Sequence, residues 1–236
     1  MRLEAGENDR TIFPIDWTNP QNNGFAIAEE VTLREGHERR PDLVVYVNGL
    51  AIAVIELKKG SVSIVDGIAQ LISNQSAEYN PGFFTTAQIL LAANNSEGLR
   101  YGTIGTPAKH YLPWKEAHPA EQGYLMDIQL GQIFRKERII ELMRDFVIFD
   151  AGRKKLPRPH QYFAIKAAQE AFAKKIGGII WHSQGSGKSL VMVLLARWLL
   201  ENNPQARVLV VTDRIELDSQ IERVFRDAEE NRVRHI

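Results

Sequence analysis

The sequence predicts an α/β protein in two parts, and three observations support this fold class. Two apolar runs on either side of Asn48-Gly49 are typical of a β-hairpin. After residue 160, helical patterns alternate with short apolar runs, which indicates a parallel sheet covered by helices. Between the two parts lies a basic, proline-containing segment at 151–161. We therefore predict one domain over residues 1–150 and a second over residues 151–236.

The first domain is expected to hold a sheet and at least two helical regions. In chain order, the elements predicted there are a short helix or a first strand over 20–35, two strands over 42–57, a helix over 62–79, a buried strand over 88–93, a strand with a long loop over 99–120, and a helical pattern over 128–147.

The second domain shows a more regular pattern of helices and strands. Its predicted elements are a helix over 160–174, a strand over 176–181, a loop, a helix over 188–201, a strand over 207–212 and a helix over about 215–230. This order predicts the start of a doubly wound parallel sheet.

Composition excludes several classes of site. The 236 residues contain no cysteine, which excludes disulfides, thiolate nucleophiles and cysteine-based zinc sites. The six histidines are isolated, so a histidine-ligated metal is not expected. Positive and negative side chains balance, so any contact with nucleic acid has to come from local patches. The charged N-terminus and the short apolar runs predict a soluble, cytoplasmic protein without a membrane segment.

The clearest chemical motif is a glycine-rich loop between a predicted strand and a predicted helix. Such a loop directs backbone N–H groups at a phosphate, and the helix N-terminus adds partial positive charge. Lys188 would reach the β- and γ-phosphates of ATP, and the Ser189 hydroxyl would hold Mg²⁺. His182 replaces the first glycine of the usual pattern. The alternative is a structural glycine-rich turn. The candidate nucleotide-binding residues are Gly185, Ser186, Gly187, Lys188 and Ser189.

Asp213 follows the next apolar run and allows two interpretations. It could be an acid that holds Mg²⁺ beside the phosphate loop. The alternative is that it caps the helix that follows, and we favour the cap.

The hairpin around Asn48-Gly49 carries charged residues at its outer ends. Asp42 and Glu56, with the carbonyl of Leu57, could hold a metal ion for phosphodiester hydrolysis. Lys58 shares a strand face with Glu56 and could orient the attacking water or stabilise charge on the phosphate. The alternative is a surface ion pair that contributes less than about 1 kcal/mol.

Strand register tests this hypothesis. A two-residue turn continued by a regular ladder pairs Asp42 with Ile55, which puts Asp42 and Glu56 on opposite faces. A three-residue loop with Gly49 as a bulge pairs Asp42 with Val54 instead, so that the two carboxylates share a face. The nuclease hypothesis therefore requires an odd-numbered loop or a bulge.

Both motifs, in this order, resemble the N-terminal part of the restriction (R, motor) subunit of type I restriction enzymes. The segments that carry the resemblance are FPIDWTNPQNNGFAIAEEVTL, RRPDLVVYVNGLAIAVIELKKG, RYGTIGTPAKHYLPWKE, RPHQYFAIKAA, WHSQGSGKSLVM and VVTDRIELDSQI. The resemblance implies a PD-(D/E)xK restriction-endonuclease-like domain followed by an incomplete, truncated RecA-like helicase-type motor domain.

The resemblance also implies roles for individual residues. Asp42, Glu56 and Lys58 match the nuclease motif, and Gln161 matches a glutamine that contacts adenine in such motors. The family often carries Q-x-x-x-Y on the helix after the Glu-x-Lys strand. By spacing Gln70 is the match, whereas by pattern Gln75 and Tyr79 match; we favour Gln70. Glu30 is a further candidate acid, with a solvated acid as the alternative.

The resulting functional prediction is an Mg²⁺-dependent endonuclease acting on double-stranded DNA within an ATP-driven type I restriction complex. The resemblance implies partner subunits for specificity and for S-adenosylmethionine-dependent modification. Hydrolysis of ATP by this chain alone is not expected, because no Walker B sequence of the D-E-x-H type is present. The alternatives are a P-loop ATPase or helicase fragment with a DNA-clamping domain, and a non-catalytic subunit-docking module.

Overall fold

A computed structural model describes residues 13–116, 123–150, 152–211 and 222. Its main feature is a six-stranded mixed sheet with its strands in chain order. The strands are β1 (Phe25–Glu29), β2 (Leu43–Val47), β3 (Leu50–Leu57), β4 (Ile89–Asn94), β5 (Gly98–Gly102) and β6 (Leu112–Pro113). The β3–β4 pair is parallel and the other neighbouring pairs are antiparallel. The predicted α/β class is confirmed, and the ambiguous segment 20–35 contributes strand β1.

Helix α1 (Ile64–Asn74) connects the two parallel strands and covers one face of the sheet. Its apolar residues Ile64, Ile68 and Leu71 recur at helical spacing and pack on Val54 of β3. The Ser63 hydroxyl accepts a hydrogen bond from the Val65 N–H and caps the helix N-terminus. The helix ends before the predicted residue 79, because the chain turns away after Asn74.

The other sheet face carries the larger core. It is covered by α2 (Leu125–Ile133), α3 (Lys136–Glu141) and a wide π-turn over Leu142–Phe146. The single helical pattern predicted over 128–147 is therefore three consecutive pieces rather than one helix. A short hairpin follows, formed by β7 (Ile148–Asp150) and β8 (Arg153–Lys155).

Helices α4 (Pro159–Ala173) and α5 (Lys188–Asn202) agree with their predicted positions. They pack against the same core as the sheet. Tyr162 of α4 lies 5.6 Å from the Trp114 ring and 4.8 Å from the Phe146 ring, measured between centroids. The Tyr101 hydroxyl donates a 2.6 Å hydrogen bond to the Pro157 carbonyl. One apolar core therefore runs through both parts of the chain.

The two strands predicted at 176–181 and 207–212 are wrong within the described residues. The segments 176–181 and 206–211 have no regular secondary structure, and neither pairs with a strand in the part of the chain that the structure describes. Ile179 and Trp181 are each 90% exposed. A strand of a parallel sheet is normally buried on both faces between hydrogen-bonded neighbours, and these segments have none there. Asp213 and the helix predicted at about 215–230 lie outside the described residues, except residue 222, which is helical.

Candidate active site and phosphate loop

The hairpin between β2 and β3 combines a tight turn with a bulge. Asn48 and Gly49 both have positive φ, 49° and 84°, and Val47 pairs with Leu50 across this two-residue turn. Of the two arrangements that would bring Asp42 and Glu56 to one face, the three-residue loop does not form. The register then shifts by one, because Val45 pairs with Ala53 while Tyr46 pairs with Ala51. Ile52 is the extra residue, and this is the bulge that the hypothesis required.

The bulge brings Asp42 and Glu56 to the same face of the sheet. Leu43 pairs with Ile55, so Asp42 stands directly across from Glu56. The Asp42 carboxylate Oδ2 accepts a 2.6 Å hydrogen bond from the Leu57 N–H, which ties it to the outer end of β3. A ladder without the bulge would have turned the two carboxylates to opposite faces.

Glu56 is held in an unfavourable environment for an anion. The side chain is 1% exposed, and its Oε2 is buried without a hydrogen-bond partner among the described residues. Burial is the largest influence and, with the nearby Asp42 charge, raises the pKa of Glu56 to about 7, against the opposing hydrogen bond from Lys58. A buried carboxyl of this kind, beside a second acid, is typical of functional sites.

Lys58 and Gln70 complete the cluster. The Lys58 Nζ donates to Glu56 Oε1 at 3.0 Å and to Gln70 Oε1 at 2.8 Å. Gly67 lies one turn before Gln70 and permits this approach. A Cβ at Gly67 would lie 3.2 Å from the Ala92 Cβ and 3.4 Å from the Lys58 Cγ. Helix α1 can therefore lie against both the sheet and the Lys58 stem.

The alternative residues for the glutamine position point elsewhere. Gln75 donates to the Leu71 carbonyl at 2.8 Å and accepts from the Gly105 N–H at 3.0 Å. Tyr79 lies under the Arg39 guanidinium. The backbone of Glu30 lies beside Asp42, since the Glu30 N–H donates a 2.9 Å hydrogen bond to the Asp42 carbonyl. Its exposed carboxylate, however, pairs with Arg40 at 3.4 Å.

The donors around Asp42 and Glu56 fit a hard divalent cation. Two carboxylates face each other, one with a buried oxygen that lacks a partner, and the Leu57 carbonyl belongs to the same strand end. Oxygen donors of this type suit Mg²⁺. Nowhere in the described ranges, this site included, do three or more Asp, Glu or His side chains form a group that could hold a metal, so a cation here would depend on these two carboxylates and the carbonyl.

The phosphate loop lies between the unpaired 176–181 segment and α5. Gly185 and Gly187 have φ of 74° and 82°, in the left-handed region that favours glycine. The buried Ser186 donates its hydroxyl to the Ser183 carbonyl at 2.7 Å. The exposed Lys188 Nζ donates to the His182 carbonyl at 3.2 Å. Both hydrogen bonds are therefore internal to the loop and the start of α5, of which Lys188 is the first residue.

Gln161 links this loop to the N-terminus of α4. Its Oε1 accepts from the Arg158 N–H at 2.8 Å, and its Nε2 donates to the carbonyls of Ser186 (2.9 Å) and Gly187 (3.2 Å). A Cβ at Gly187 would lie 2.4 Å from this Nε2, so the close approach requires glycine. The structure therefore places the predicted glutamine on the predicted phosphate loop.

An open cavity of about 780 Å³ lies beside Gln161 and the loop. It is lined on one side by Gly185, Gly187 and Ser189 and on the other by residues of the sheet domain and the β7–β8 hairpin. The volume is in the range of small-molecule sites. Sequence reasoning did not identify this shared lining, because apolar and basic residues at 101–112 and 150–158 carry no recognisable motif.

Comparison with known proteins gives two family matches. Residues 2–109 match the family described as the N terminus of the type I restriction enzyme R protein. Residues 160–236 match the family described as the SWI2/SNF2 ATPase.

Individual relatives agree with the first match. The chain is 28% identical to the MjaIXP endonuclease subunit of Methanocaldococcus jannaschii, over 95% of this chain and 25% of that protein. It is 31% identical to the type I restriction enzyme HindI endonuclease subunit of Haemophilus influenzae, over 89% of this chain and 22% of that protein. It is 24% identical to the type I restriction enzyme SauCOLORF180P endonuclease subunit of Staphylococcus aureus, over 86% of this chain and 22% of that protein. The chain thus spans about a quarter of the length of these relatives.

Proposed function

Because this chain belongs to the family of type I restriction enzyme R proteins, corresponding to their N-terminal region, we propose that it carries the nuclease site of such a subunit. The proposed reaction is Mg²⁺-dependent cleavage of double-stranded DNA by a PD-(D/E)xK domain. The observation that carries this proposal is the convergence of Asp42, Glu56, Lys58 and Gln70 on one face of the sheet. The cleavage would occur within a complex that also contains modification and specificity subunits.

Each residue of the cluster has a distinct proposed role. Asp42, Glu56 and the Leu57 carbonyl would hold Mg²⁺, which when bound lowers the pKa of a coordinated water and polarises a phosphate oxygen. Lys58 places a positive charge where negative charge develops on the phosphate. Gln70 keeps the Lys58 ammonium at the cluster by accepting one of its hydrogens, and the Leu57 N–H fixes the Asp42 carboxylate.

The second proposed activity is ATP binding at the phosphate loop as the start of a RecA-like translocase motor. Gly185, Gly187 and Ser189 line the cavity beside Gln161, in agreement with this role. Lys188 would exchange its contact with the His182 carbonyl for the phosphates. Translocation would require a subunit as long as the relatives, of whose length this chain spans about a quarter.

The experiment that tests the proposal compares variants of the intact R subunit, reconstituted with its specificity and modification subunits. Glu56→Ala is expected to abolish DNA cutting and to leave ATP hydrolysis intact, because the phosphate loop does not contact Glu56. Lys188→Ala is expected to lose both activities, since cutting follows ATP-driven translocation. Lys59→Ala, an exposed neighbour of Lys58, is the matched control and should retain both.

Two results would count against the assignment. Cutting that survives Glu56→Ala would place the nuclease site elsewhere and favour a DNA-clamping or subunit-docking role for the sheet domain. ATP hydrolysis that survives Lys188→Ala would remove the phosphate loop from the nucleotide site.

A further inference from the structure

Arg39 is a cation whose side chain has no anionic partner in the described part of the chain. Its guanidinium makes neither an ion pair nor a hydrogen bond there, and its Nε is buried without an acceptor. By contrast, the neighbouring Arg40 pairs with Glu30, and Arg34 pairs with Glu38. An unpaired guanidinium, partly covered by protein, is costly unless a ligand satisfies it.

The Arg39 side chain is nevertheless held in place. Its Cζ lies 3.9 Å from the centre of the Tyr79 ring, which is a cation–π contact. Two backbone hydrogen bonds join Arg39 to Leu33. The Arg39 N–H donates to the Leu33 carbonyl at 3.1 Å, and the Leu33 N–H donates to the Arg39 carbonyl at 2.8 Å. A guanidinium stacked on a ring loses little conformational freedom when it binds a planar pair of oxygens, which favours an anion-binding role.

The position of Arg39 connects it to the candidate nuclease site. Arg39 lines an open cavity of about 570 Å³ together with Ala69, Gln70 and Ser73 of α1. Gln70 is also the residue that accepts the hydrogen bond from Lys58. The cavity is therefore connected to Lys58 of the cluster through Gln70, and its lining contains no carboxylate.

We infer that Arg39, stacked on Tyr79, binds a backbone phosphate of the DNA next to the phosphate that is cut. Arginine is well suited to a phosphodiester, because its fork of donors can contact two oxygens at once. The carboxylates of the cluster repel the DNA backbone, and Arg39 supplies attraction on the adjacent side. Its role is to position the duplex, and it rests on the proposed nuclease function.

The test measures binding of a short duplex to the chain by fluorescence anisotropy, in EDTA, at several salt concentrations. Arg39→Ala is expected to weaken binding about tenfold and to lower the slope of log K against log salt by about one, as for the loss of one phosphate contact. Tyr79→Leu should reduce the affinity for the duplex less, because the Arg39 charge remains and only the aromatic ring on which it is stacked is removed. Arg34→Ala removes an exposed, paired arginine and is the matched control, expected to match wild type.

Further measurements separate the possible results. Thermal unfolding of each variant shows whether the fold persists, and Arg39→Lys, which keeps the charge, should recover part of the affinity if the fold is intact. Inorganic phosphate tests the source of the anion: binding of free phosphate that depends on Arg39, with unchanged duplex affinity, would overturn the DNA assignment.

An unchanged affinity and salt slope in Arg39→Ala would overturn the inference, even if Glu56→Ala abolishes cutting. Conversely, loss of duplex binding in Arg39→Ala with cutting that survives Glu56→Ala would leave Arg39 as a DNA contact and reject the nuclease assignment. The experiments therefore test the DNA contact of Arg39 and the nuclease assignment independently of each other.

Discussion

Replacing Glu56 by glutamine is expected to stabilise the fold at alkaline pH. Glutamine has nearly the same shape as glutamate, keeps an acceptor for Lys58 and carries no charge. The native carboxyl has its pKa raised from 4.5 to about 7, chiefly by burial. The folded state therefore resists an ionisation that the unfolded chain undergoes readily.

The sign of the effect depends on pH. Below the unfolded pKa, the carboxyl is protonated in both states and has no net effect on the free energy of unfolding. Between 4.5 and about 7, the unfolded chain loses its proton first, which lowers the free energy of unfolding, and above pH 7 this cost is constant. The difference between the two pKa values corresponds to about 3 kcal/mol. This pKa already includes the opposing attraction of Lys58, and glutamine resembles the protonated carboxyl, so we expect a gain of up to about 3 kcal/mol.

Urea unfolding of the chain in EDTA, at about pH 4 and about pH 8.5, measures this difference. Glu56→Gln should unfold at higher urea than wild type at the alkaline pH and close to wild type at the acid pH. Glu38→Gln, in an exposed pair with Arg34, is the control and should change little at either pH. A gain of equal size at both pH values, or a loss at the alkaline pH, would refute the electrostatic explanation.

Two further substitutions test other contacts. Gly187→Ala should destabilise the chain by about 1–3 kcal/mol and weaken ATP binding measured by calorimetry, because its Cβ would lie 2.4 Å from the Gln161 Nε2. Gly185→Ala, with a similar φ but open space, should be milder, and equal effects would contradict the steric argument. Gln70→Ala leaves the Lys58 ammonium with Glu56 alone, so cutting by the intact subunit should slow roughly tenfold or more. ATP hydrolysis should persist, and a parallel loss of both activities would argue against a local role.

The hairpin shows what the sequence can and cannot predict. Asn48-Gly49 indicated the turn correctly, since both residues tolerate positive φ. The extra residue of the bulge, Ile52, is an ordinary apolar strand residue and carries no signal of its own. The need for a bulge could be deduced only from the requirement that Asp42 and Glu56 share a face.

The glutamine position and the missing strands have different explanations. Gln70 was preferred by its spacing from Lys58, and the structure places it there, because α1 begins at Ser63 and Gly67 lets it approach. The apolar runs at 176–181 and 207–212 indicate only that these segments favour burial. A segment forms a strand only if a neighbouring strand is available for hydrogen bonding, and an apolar pattern gives no information on whether such a strand exists.

The packing of α4 has a consequence for folding cooperativity. Tyr162 and Ile165 of this helix belong to the sheet domain's core, while Gln161 on the same turn holds the phosphate loop. Loosening that core would therefore release the anchor of the loop, and a ligand that favours the ordered loop would protect the core by mass action. The phosphate loop and the sheet should melt in one transition, and nucleotide should shift the melting of residues that it never touches.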